Sequence, residues 1–164
     1  MRVSFSAGLP LGTNSVGISV TDSLNHSDAC AAEVIVVDRT PPSLLSAKST
    51  PDTLWPPNNQ MVPVQIDALA TDECGDTHWK IVGVLSNEPP GKPGHRAGHT
   101  DWQITGDHTL ELRATRNGWG TGRVYSILLQ AMDTSGNLSQ TQIVTVAVSK
   151  SAHSQPQPAT LELE

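Results

Sequence analysis

Asp133-Thr134-Ser135-Gly136-Asn137 puts two oxygen-bearing side chains four positions apart on a tight turn. Hard cations such as Ca²⁺ collect about six to eight oxygens from flexible loops. Asp133 and Asn137 are therefore candidate calcium ligands, with Asp38 and Asp72 as carboxylates able to complete the set. Asp, Asn and Gly are equally what such a turn needs for itself, through side-chain-to-backbone hydrogen bonds and a left-handed φ. Both roles stay open on these residues alone. His95, His99 and Asp101 have side chains of the type zinc takes. They sit in a Gly/Pro-rich loop without helical spacing, and no other Cys or His is tied to them, which reads as a solvated loop.

Among the tryptophans, Trp55 and Trp102 read as core residues, because aromatics bury large areas. Trp119 is flanked by Gly118 and Gly120, which predicts an exposed ring and makes it the candidate glycan contact. No Gly-x-Ser-x-Gly elbow, P-loop or His-Glu-x-x-His occurs, so catalysis is not expected. The two cysteines, Cys30 and Cys74, are too few for a disulfide framework. They could pair with each other or each lack a partner, and a Cys30–Cys74 bridge would need Cα atoms within about 7 Å.

The elements that must position these residues are strands, because period-two alternation recurs along the chain. Val16, Ile18 and Val20 alternate with Ser15, Gly17, Ser19 and Thr21; a polar turn follows, then a Val-rich run over 30–37. Further strands are predicted over 3–7, 43–49, 61–71, 78–85, 102–104, 109–114, 123–133 and 140–148. Pro63 predicts that the 61–71 strand is at an edge for part of its length. Short strands with turn signals at regular intervals predict an all-β antiparallel sandwich of about seven strands.

Asp38-Arg39-Thr40-Pro41-Pro42 is a seam, since two successive prolines stop both helix and central strand. Ile18 to Asp22 and the run after it echo Leu129 to Asp133 at an offset of about 110 residues, the size of one small sandwich. Residues 1–38 are thus expected to be the last strands of a preceding repeat and 39–149 a complete domain. Residues 150–164 are expected to be a polar tail ending in a Leu-Glu-Leu-Glu scar. Segment 1–38 is expected either to add strands to the complete domain or to pair in a dimer, because an incomplete sandwich exposes apolar edges.

The chain has 164 residues, a formal charge of −6 and only 16% charged residues. No Lys/Arg cluster stands out, which argues against nucleic acid as a partner. No run approaches the roughly 20 apolar residues of a membrane helix.

Asp38-Arg-Thr-Pro-Pro, Leu54-Trp-Pro-Pro-Asn, Met61-Val-Pro-Val, Thr71-Asp-Glu-Cys-Gly, Asp101-Trp-Gln-Ile-Thr-Gly and Asp133-Thr-Ser-Gly-Asn together resemble bacterial Ig-like repeats, nearest to hyalin-repeat (HYR-like) modules. The resemblance covers 39–149 and, more weakly, 1–38. It implies an Ig-like sandwich, tandem arrays in a secreted or cell-surface protein, spacer or adhesion work, neighbouring repeats or a surface glycan or protein as partners, and no catalysis. The alternative is a carbohydrate-binding module attached to a secreted hydrolase. Hyalin-repeat-like modules often carry cysteines where this chain has Trp79 and Ala131, and another where Gln140 or Thr141 stands. In their place Trp79 is expected to pack over Ala131, large against small.

Overall fold

The computed structural model describes residues 8–89 and 100–151. The chain divides into two compact units, Met1–Thr40 and Pro41–Glu164, with the boundary inside the Asp38–Pro42 seam. No helix occurs among the described residues. The strand predicted over 3–7 lies outside them, as does most of the 87–99 loop.

In the first unit β1 (Gly12–Thr21) and β2 (Ser27–Val36) form a two-stranded antiparallel sheet. The register sets Val16 against Ala32, Ile18 against Cys30 and Val20 against Asp28. Directly opposed residues share a face, so the valines and Ile18 make one apolar side and the serines the other. The hairpin is a sheet of its own, so of the two expected arrangements, added strands or pairing in a dimer, the first is not what forms. Its ten-residue register is satisfied internally.

The second unit contains β3 (Ser43–Thr50), β4 (Thr53–Leu54), β5 (Met61–Thr71), β6 (Thr77–Ser86), β7 (Trp102–Ile104), β8 (Thr109–Arg113), β9 (Arg123–Asp133) and β10 (Gln142–Val148). One sheet has the order β3-β5-β8-β7 and the other β4-β10-β9-β6. This is the ABED and GFC strand order of immunoglobulin-type sandwiches, with β4 added beside β10. β4 pairs parallel to β10; the other pairings are antiparallel.

Inward residues of the two sheets meet in one core: Leu54, Val64, Ile66, Leu110, Leu112, Tyr125, Ile127, Leu129, Val144, Val146 and Val148 are all buried. On β5 the even positions Val64 and Ile66 face in, as the alternation predicts. Two bulges change the phase of other strands. The register slips between Ile81 and Gly83, so Ile81 and Val84 both point inward although they are three positions apart. A slip between Leu44 and Ser46 likewise leaves Leu45 outside while Leu44 and Ala47 pack on the core. Pro63 stands where β5 has one neighbour: β8 pairs with Met61 to Gln65, and β3 begins only at Gln65. Its missing N–H therefore breaks no ladder bond on the open side.

Candidate functional site

Two loop regions of the second unit hold most of the polar side chains singled out above. The first is the β9–β10 turn. Asp133 is buried, and its Oδ1 accepts hydrogen bonds from the amides of Ser135 and Asn137, both at 2.8 Å. The Asn137 side-chain amide donates to Oδ2 at 2.8 Å. Gly136 supplies the left-handed φ of 88° that the turn requires. Burial alone would raise the Asp133 pKa, but the hydrogen bonds from Asn137, Ser135 and Gly136 outweigh it and hold the carboxyl below its ordinary range. The structure thus brings Asp133 and Asn137 together, and the turn's own donors stabilise the anion. Asp72 lies in the β5–β6 turn, where its Oδ1 accepts from the Cys74 amide at 2.7 Å. Asp38 belongs to the first unit and accepts from the Thr40 amide at 2.9 Å. Cys30 and Cys74 are both exposed thiols.

The same turn recurs in the first unit. Asp22 Oδ1 accepts from the amides of Leu24 and His26 at 2.8 and 2.9 Å, and His26 Nδ1 lies 3.0 Å from Oδ2. Asn25 takes the left-handed φ of 65°. Asp22, Leu24, Asn25 and His26 each precede their counterparts Asp133, Ser135, Gly136 and Asn137 by 111 positions. The backbone bonds match too: Asp22 N to His26 O and Asn25 N to Asp22 O have equivalents in Asp133 N to Asn137 O and Gly136 N to Asp133 O. Asp22 is also held below the ordinary carboxylate range, first by the His26 amide.

The second region is the β8–β9 loop and the polar cluster beneath it. Arg123 and Tyr125 are two apart on β9, so they share a face. The buried Arg123 guanidinium donates to Asp101 Oδ2 through Nη1 and to Glu88 Oε2 through Nε, the latter at 3.4 Å. Arg113 Nε lies 3.4 Å from Asp101 Oδ1. The Tyr125 hydroxyl donates to the Arg113 carbonyl at 2.8 Å and accepts from Arg123 Nη1 at 3.2 Å. Burial pushes the Tyr125 pKa up, against the opposing effect of Arg123. Burial alone would lower the Arg123 pKa, but the hydrogen bonds and charge interactions with Asp101 and Tyr125 together outweigh it and raise the pKa. A tyrosine near the start of the sixth sandwich strand, bonded back to the fifth, is a corner feature of immunoglobulin-type folds. His95 and His99 lie outside the described residues, and Asp101 is committed to two arginines.

Glu88 also accepts from the Asn117 amide at 2.8 Å, which fastens the β8–β9 loop to the cluster. At the loop tip Trp119 is 99% exposed. Trp102 packs on the core, edge-on to Tyr125 at 6.4 Å between centroids. Trp55 corrects the core expectation, being 55% exposed. Leu54 takes the inward place at that point of β4, so the next side chain points out. Trp79 stands directly opposite the fully buried Ala131 and stacks on His108 with centroids 3.8 Å apart.

Sequence inspection missed the Asp101–Arg123–Tyr125 cluster. The Arg-Val-Tyr alternation marks one face of β9, but nothing in the spacing pairs it with Asp101, 22 residues upstream. A pocket of about 500 Å³ is lined by Pro41, Pro42, Ser43, Leu44, Ser139, Gln140, Thr141 and Gln142, with no ionisable side chain among them. Among the described residues no helix is long and apolar enough to cross a membrane. No protein-family model matches the chain, and no curated protein matches it in sequence.

Proposed function

We propose that residues 39–149 are a non-catalytic Ig-like module that serves as a spacer or adhesion unit in a secreted or cell-surface protein, joined to neighbouring repeats through the Asp38–Pro42 seam. The observation that carries this reading is the parallel pairing of β4, the short strand that directly follows the entry strand β3, with β10, the last strand of the sandwich. The Ala147 amide donates to the Asp52 carbonyl at 3.0 Å and the Ser149 amide to the Leu54 carbonyl at 3.1 Å. In a parallel pair the start of one strand and the end of the other lie at opposite ends. A pull along the chain therefore shears these bonds together instead of unzipping them one by one. A unit built to hold a set distance under tension needs this loading geometry, and Pro41 and Pro42 stiffen the approach to it.

Single-molecule pulling from the two ends tests the reading. The second unit is expected to yield in one sharp rupture. The contour-length gain should be roughly 350–400 Å, from about 110 residues at up to about 3.6 Å each. Gradual extension with no discrete rupture would remove the spacer role.

A further inference from the structure

We infer that Trp119 is a stacking platform for an all-equatorial, β-linked hexopyranose chain of glucose configuration. The indole is 99% exposed, while the backbone on both sides of it is fixed. The Asn117 amide donates to Glu88 at 2.8 Å, and Asn117 Oδ1 accepts from the Trp119 amide at 3.1 Å. Arg116 bridges the Gly120 and Val148 carbonyls, each at 3.1 Å, and the Asn87 side chain donates to the Gly122 carbonyl at 2.9 Å. A ring held out on a braced loop keeps much of its ordering cost from being incurred on binding.

The fold does not require a tryptophan here. At the offset of 111 that superimposes the two turns, the first unit has Gly8. The surroundings select the ligand class. Protein hot-spot tryptophans sit in packed, water-excluding surroundings, whereas Gly118 has nothing within 4 Å of where a Cβ would stand, and the other exposed neighbours are Asn117 and Thr121. Nucleobases also stack on aromatics, but their phosphates call for a basic groove, and this chain carries −6 with no basic cluster. Among the described residues the flat ring has no walls, which suits a ligand that is itself flat and apolar on its face and polar only at its rim. Pyranoses with every ring substituent equatorial meet that description, because both faces then carry only C–H bonds. Sugars with axial hydroxyls would need hydrogen-bonding walls that this loop lacks.

This inference goes beyond the spacer role and can fail without touching it. The test uses the whole chain with cellohexaose and amorphous cellulose. The Trp119 indole N–H resonance is expected to shift on titration with cellohexaose, with a dissociation constant in the millimolar range. Retention on cellulose is expected to fall at least tenfold in Trp119→Ala, whose melting temperature stays that of the wild type because the ring packs on nothing. An unshifted Trp119 resonance, or equal retention of wild type and Trp119→Ala, overturns it.

Discussion

The β1–β2 and β9–β10 hairpins close with one hydrogen-bond scheme, yet only the second is buried. Ile127, Leu129 and Ala131 are fully inaccessible, while their counterparts Val16 and Ile18 are half-buried and Val20 is 57% exposed. The turn chemistry is local: an Asp that accepts two amides, a residue at positive φ and a polar side chain four positions on. It forms whether or not a sheet lies across from it. Burial is not local, and β9–β10 obtains it from β3-β5-β8-β7 and from β6 along its edge. Turn and alternation therefore specify a hairpin, and a facing sheet turns it into part of a core. Two strands alone are marginal in water.

The polar cluster sharpens the comparison most, because Arg123 has only Gly12 at the matching place in β1. Asp101→Ala leaves the buried Arg123 charge without its main partner and is expected to cost about 3–5 kcal/mol in urea unfolding. Next, Leu129→Ala is expected to cost about 2–5 kcal/mol, while its counterpart Ile18→Ala moves the main transition by less than about 0.5 kcal/mol. Equal losses would break the distinction between the hairpins. Ala131→Leu puts a larger side chain against Trp79 and is expected to cost about 1–3 kcal/mol, with Val20→Leu near neutral. An unchanged melting temperature for Ala131→Leu would refute the Trp79–Ala131 packing.

The smallest effect is in acid. Asp133 has a folded pKa below its unfolded value, so its contribution is fully present above an unfolded pKa of about 3.9 and is lost as pH falls through the lower folded value. Melting temperature followed from about pH 6 to about pH 2 is expected to fall less steeply in Asp133→Asn. Asp22→Asn should leave that profile alone, since its carboxylate braces only the hairpin. Because the donors of the turn itself balance Asp133, adding CaCl₂ is expected to leave the melting temperature unchanged, and a calcium-dependent rise would restore the metal role.

Much of the sandwich was legible because alternation is local: β5, β7 and β9 fall where period two places them. β4 escaped notice because two residues, Thr53 and Leu54, carry no periodicity. The bulges at Val82 and Leu45 escaped because a phase change looks like a broken pattern. Trp119 was legible from its flanking glycines, whereas Trp55 was not, because its exposure follows from Leu54 pointing inward. The buried ion pairs were out of reach, since only the folded sheets bring Asp101 to Arg123.

Native-state hydrogen exchange measured residue by residue tests the central distinction most directly. Amides of β9 and β10 are expected to exchange only through global unfolding of the second unit, and those of β1 and β2 orders of magnitude faster. Equal protection across both hairpins would contradict the account, because the first hairpin would then share one cooperative core with the second.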